Sequence, residues 1–136
     1  MSAALELLLP HQPPMRWIEA LTECTPTLAR ATVCFTTDHF AVADGVVLET
    51  ALVECVAQTI AAAQGHRAKL AGKSGAPCVG MLAAVANFKI HSPPPLGKTL
   101  EIEIQEQKKF GPMILVSGVV VCAGQTIATG ELTVYA

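Results

Sequence analysis

The sequence predicts an α+β chain with one long helix set among about six strands, the late strands antiparallel. Three observations predict it. The run from Leu48 to Gly65 is almost wholly apolar or small, and it is too long for a strand. The second half alternates apolar and polar residues with a period of two and is broken by short turns. The 136 residues are 51% hydrophobic and only 15% charged, which supplies a core for one domain spanning 1–136 and implies that much surface is covered in an oligomer.

The elements follow in order. Pro10-His-Gln-Pro-Pro14 breaks any early helix, and Met15–Thr22 and Ala29–Thr36 read as strands. In the second of these, Ala31, Val33 and Phe35 alternate with Arg30, Thr32 and Cys34. Residues 38–45 are a loop. The helix runs from about Val47 to Gly65, with Gly65 as its C-terminal glycine. Residues 66–77 form a basic connection. Cys78–Ile90 is a strand, Ser92-Pro-Pro-Pro-Leu-Gly97 a stiff turn, and Leu100, Ile102 and Ile104 mark a half-buried strand. Gly111-Pro112 makes a hairpin. Met113–Val121 is apolar on both faces, and Thr126–Tyr135 is the last strand.

Charge and composition exclude several functions. A net charge of −2 argues against nucleic-acid binding, which normally shows a basic stripe. No apolar run is long enough to span a membrane as a helix. The N-terminal ten residues lack the basic start of a signal peptide. The five cysteines form no CxxC pair and read as reduced, cytoplasmic thiols. No His/Cys spacing supports a metal site.

The helix carries the candidate chemistry. Leu52, Val56, Ile60 and Ala63 form a bulky side that suits a sheet. Ala51, Glu54, Gln58, Ala61, Ala62 and Gly65 form a side that is small apart from an acid and an amide. A carboxylate in so apolar a helix is costly unless it is paired or protonated, so Glu54 with Gln58 suggests a site.

Glu54-Cys-Val-Ala-Gln58 resembles the E-A-x-A-Q helix motif of the 3-hydroxyacyl-(acyl carrier protein) dehydratases. Leu9-Pro-His-Gln-Pro-Pro-Met15 is similar to that family's opening segment, in the form seen in the branch linked to aryl polyene synthesis. Asp38-His-Phe40 resembles the G-H-F loop, Gly80 with Asn87-Phe88-Lys89 the G-x-x-x-x-x-F-R strand, and Pro95-Leu-Gly97 the P-G-D turn. The resemblance covers nearly the whole chain.

It implies a hotdog fold, in which one long central helix is wrapped by a curved antiparallel sheet. It implies a homodimer, with the option of a higher oligomer or a heterodimer with a related subunit. The substrate implied is a 3-hydroxyacyl thioester of acyl carrier protein or coenzyme A, dehydrated without a cofactor to a trans-2-enoyl thioester. Carried onto this chain, the resemblance makes His39 the base and Glu54 the acid, supplied by different subunits. Backbone N–H groups at the helix start would polarise the thioester oxygen.

The family's proline-glycine loop before the helix is replaced by Ala41-Val-Ala-Asp-Gly-Val-Val-Leu48. His11 is therefore a rival for His39, and Gln58 and Gly80 are further candidates for catalysis or substrate binding. The same departure keeps open a hotdog thioesterase, or an inactive acyl-binding subunit that pairs with an active partner. His66 and His91 read as surface residues, and Glu101 and Glu103 as the solvated side of a strand. Arg67, Lys69 and Lys73 read as a solvated basic loop, with docking of an acidic carrier protein as the alternative.

Overall fold

A computed structural model describes residues 14–72 and 81–135. His11, Cys78, Gly80 and Lys73, all named above, lie outside the described residues. The elements are β1 (Ala20–Cys24), β2 (Leu28–Cys34), β3 (Val42–Ala43), β4 (Val46–Val47), α1 (Thr50–Leu70), β5 (Met81–Ile90), β6 (Thr99–Phe110), β7 (Met113–Cys122) and β8 (Gln125–Tyr135). Six strands form one sheet in the order β1-β2-β6-β7-β8-β5, and every pairing is antiparallel.

The sheet lays one face on α1. Leu52, Val56, Ile60 and Ala63 are all buried, together with Ala31, Val33, Leu100, Ile102, Val116 and Val120 from the strands. The helix packs against β1, β2, β6 and β7. Each Leu or Ile buried there contributes about 1.5–3 kcal/mol. On the opposite face, Arg30 of β2 bridges Glu23 of β1 at 2.6 Å and Glu103 of β6 at 2.8 Å. These side chains are exposed, so the bridges fix register more than they stabilise. Glu103 is thus an ion-pair partner as well as a solvated strand residue.

Two glycines shape the sheet where it meets its fillers. Gly118 of β7 and Gly130 of β8 are register partners. A Cβ on Gly118 would lie 2.8 Å from Val56 Cγ1, and one on Gly130 would lie 2.3 Å from Phe88 Cδ2. The space of two missing side chains is filled by Val56 from the helix and Phe88 from β5.

Three boundaries differ from the sequence expectation. The helix starts at Thr50 because Val46 and Val47 pair with Val42 and Ala43 as a small hairpin, turned by Asp44 and Gly45 at positive φ. It does not stop at Gly65, which is buried inside it, but runs on to Leu70. The roughly 1 kcal/mol propensity penalty of a mid-helix glycine is overridden by packing. The stop is Gly72 at φ 81, whose N–H bonds Lys69 O. The connection expected at 66–77 is therefore helical in its first turn and more.

The third difference concerns Met15–Glu19, expected to be strand. This segment lies before β1 without strand pairing of its own. The backbone groups of Met15, Trp17 and Ile18 are taken by a helix side chain, and Glu19 N–H already reaches Thr32 O of β2 at 2.7 Å.

Candidate active site

Gln58 is that side chain. It is fully buried, and all its hydrogen-bonding capacity is in use. Its Oε1 accepts Trp17 N–H at 2.8 Å and Ile18 N–H at 3.4 Å. Its Nε2 donates to Met15 O at 2.7 Å and to Glu54 Oε1 at 3.1 Å. The amide orientation follows from this pattern, because a flip would set its NH₂ against two N–H donors. Helical spacing of four places Gln58 one turn below Glu54, so the amide holds the carboxyl and ties α1 to the Met15–Ile18 segment.

Glu54 is half-buried rather than enclosed. It lines a cavity of about 140 Å³ with Ala57, Ile60, Ala61 and Gln64 of α1, Met81 and Leu82 of β5, and Val134 of β8. Apart from Glu54 and Gln64 the lining is apolar. The small residues expected beside the acid are what leave this space open: Ala57 and Ala61 stand where larger side chains would fill it.

β5 borders the cavity and is the edge strand of the six. Met81, Leu82 and Val85 are 70%, 44% and 43% exposed, and no charge occurs between Met81 and Asn87. An apolar, uncharged edge offers unpaired backbone groups to another strand.

His39 sits in the loop between β2 and β3, packed edge-on against two rings. Its centroid is 4.7 Å from that of Phe35 and 5.4 Å from that of Trp17. Its Nδ1 accepts the N–H of Ala41 at 2.9 Å. Ala41 is buried, so turning the ring over would leave that N–H facing a carbon, at a cost of about 1–3 kcal/mol. Burial lowers the His39 pKa from its usual value, and the neighbouring Asp38 charge offsets this in part. Asp38 itself is held below its ordinary range, chiefly by the Thr36 hydroxyl, which bonds its Oδ1 at 2.5 Å.

Among the described residues, no hydrogen bond or ring contact joins His39 directly to Glu54. The two are linked indirectly: the His39 ring meets the Trp17 ring, Trp17 N–H meets Gln58, and Gln58 meets Glu54. The structure brings Glu54 and Gln58 together and sets His39 beside the segment they hold. At the helix start, Glu49 makes no side-chain cap, and the N–H groups of Ala51 and Leu52 already bond Leu48 O and Glu49 O. Two of the donors expected to serve a thioester oxygen are thus engaged in turn bonds.

Other candidates resolve as structural. Arg67 is no solvated loop residue, because its Nε donates to Thr25 O at 2.8 Å. His91 is exposed, with Nε2 3.3 Å from Thr129 Oγ1, and His66 is half-buried on α1. Cys55 is fully buried, and burial pushes its thiol pKa well up, so it packs as an inert small hydrophobe. Among the described residues no cluster could hold a metal ion, and no helix is long and apolar enough to cross a membrane. Trp17, Phe35 and Met81, which frame the site, were not singled out from sequence. The one signal was an aromatic residue on either side of the histidine loop in an otherwise aromatic-poor chain.

A family model described as "ApeP-like: ApeP dehydratase" matches residues 3–136. Comparison with the curated proteins finds no match. Among solved structures, the dehydratase heterocomplex ApeI:P from Xenorhabdus doucetiae is similar over 96% of this chain and 89% of that one, with a TM-score of 0.87 and 22% identity. An HP0420 homologue from Helicobacter felis covers 96% and 85%, with a TM-score of 0.70 and 11% identity. PaaI of Escherichia coli covers 85% and 81%, with a TM-score of 0.66 and 14% identity. These likenesses show the fold, one helix on a six-stranded antiparallel sheet of the hotdog type.

Proposed function

The chain belongs to the ApeP-like dehydratase family, and from that premise we propose that it dehydrates a 3-hydroxyacyl thioester, carried by acyl carrier protein or coenzyme A, to the trans-2-enoyl thioester. The observation that carries the reading is Glu54: an acid oriented by a fully bonded amide, facing a small apolar cavity at the edge of the sheet. Such a cavity takes an acyl chain, and its one acid supplies proton transfer at the reacting carbons.

His39 is the second member of the pair. Because the two residues do not meet within one chain, the complete site draws them from two subunits. The apolar β5 edge beside the cavity supports assembly there, and a second copy of the chain is the partner we propose. Elimination removes a proton from carbon 2 and delivers one to the hydroxyl of carbon 3, which leaves as water. The thioester itself acidifies the first proton, so the step calls for no cofactor.

The test is product analysis by mass spectrometry, on 3-hydroxyacyl thioesters of both carriers. The expected product is the enoyl thioester, and free carboxylate would instead show a thioesterase. Glu54→Gln should abolish dehydration while the protein stays folded and assembled. Full activity in that variant would sink the assignment.

A second reading is favoured by one observation: the similar Xenorhabdus doucetiae structure is a heterocomplex. On that reading this chain is a partner subunit that completes a site with a related protein and is inactive alone. Turnover by the purified chain separates the two.

A further inference from the structure

We infer that the outer face of the sheet, along β7, is the surface by which one two-subunit assembly packs on another, with Lys108 of one chain set against Glu101 of the facing chain. This rests on the proposed pairing of two chains along β5 and adds a second, separate contact. The partner is a second copy of that assembly, turned end for end.

β7 lies inside the sheet, between β6 and β8. Its Val116 and Val120 are buried on the helix side, and a Cβ on Gly118 would meet Val56 there. Successive side chains alternate between faces, so Met113, Leu115, Ser117, Val119 and Val121 point away from α1. All but Ser117 are apolar, and none of them belongs to the core cluster or packs against it. A sheet face left to water alternates to polar residues at these positions, and this one does not. At the Met113 end the stripe widens. Phe110 of β6, Met113, Tyr135 of β8 and Met81 of β5 are register partners in turn, a row that carries the apolar surface to the β5 edge.

The charges beside the stripe select its partner. On the same face of β6, Glu101 is the register partner of Val121 and Lys108 that of Leu115. One end of the stripe is thus flanked by an acid and the other by a base. Neither has an ion-pair partner among the described residues. The other acids flanking the stripe on this face are engaged, Glu103 by Arg30 and Glu131 by Asn87. A wholly acidic or wholly basic partner, or an anionic membrane, would be repelled at one end. A second copy related by a two-fold axis across the strands lays its Lys108 end on the first copy's Glu101 end, and the pair forms twice. Area decides when this contact forms. The Met113–Val121 stretch with its two neighbouring strands covers about 400 Å², half of what one partner brings to a standard interface. Pairing along β5 puts two stripes on one continuous outer face, which raises this to about 800 Å². Paired chains therefore stack through the stripe, and single chains do not.

Sedimentation velocity over a range of concentrations tests this on the full chain. The wild type should sediment as four chains. Lys108→Glu and Glu101→Lys each set like charges together, so each should move the dissociation from four chains to two to about tenfold higher concentration or more, with an unchanged circular dichroism spectrum. The double variant restores opposite charges and should dissociate as the wild type does. Val119→Thr keeps the branched shape but loses the apolar contact, and should weaken the same step. A double variant that dissociates as readily as either single one overturns the pairing, and four chains that none of these changes disturbs overturn the surface. A wild type of two chains at every concentration overturns the inference and leaves the β5 pairing standing, whereas a wild type of single chains removes both.

Discussion

Gln58 donates its amide N–H to Glu54 Oε1 one helical turn away, and its carbonyl is held by Trp17 N–H. One buried side chain thus orients the acid and anchors the segment beneath the histidine loop. Gln58→Leu keeps the volume but removes every bond, leaving Trp17 N–H and Met15 O without their partner. Each orphaned group costs about 1–3 kcal/mol, so urea unfolding should show a loss of about 2–6 kcal/mol. Dehydration should fall by more than this loss of folded protein explains, because Glu54 also loses its guide.

The paired glycines carry a packing prediction. A Cβ at Gly130 meets Phe88 Cδ2 at 2.3 Å and the Phe88 backbone at 3.0 Å, whereas one at Gly118 meets only the Val56 side chain. Side chains turn more easily than backbone shifts. Gly130→Ala should therefore lower stability by about 1–3 kcal/mol, and Gly118→Ala by less. Chemical denaturation of the two variants side by side checks the order.

Much of this architecture was legible in the sequence, and the exceptions have local causes. Period-two alternation from Leu100 to Ile104 gave a strand because one face is buried and the other wet. The Leu52, Val56, Ile60 and Ala63 face of the helix buried as its spacing implied. Gly65 misled because local propensity does not record what packs on a residue. Met15–Ile18 misled because its backbone partner is a side chain 40 or more residues away on the helix. The Glu54–Gln58 pair was legible as helical spacing. The Ala41 N–H bond to His39 was not, since no sequence pattern records which ring nitrogen meets a backbone N–H. The apolar β5 edge left no sequence signal beyond the low overall charge.

Acidification should act through His39. Its folded pKa lies below the ordinary histidine value of about 6.5, so folding favours the neutral ring. That contribution is present in full above the unfolded value and is lost as pH falls from there through the folded one. Protonation would also set an N–H at Nδ1 against the Ala41 N–H. Wild-type stability in urea should decline between neutral and mildly acidic pH, and His39→Gln should decline less. Equal declines would show that other groups carry the effect.

The β5 edge gives the prediction that separates folding from assembly. Val85 is 43% exposed in the single chain, on a strand whose outer edge has no neighbour among the described residues. Val85→Arg should change the stability of the isolated fold by no more than about 0.5 kcal/mol, as surface substitutions do. Placed within a strand-to-strand contact, the same guanidinium would be desolvated against Met81, Leu82 and their counterparts in the second subunit, which is costly without a partner charge. Light scattering should find the wild type as an assembly and the variant as a monomer with an unchanged circular dichroism spectrum. Activity should fall with the assembly, because the proposed site draws His39 and Glu54 from two subunits. A monomeric variant with full turnover would show that one chain holds the whole site.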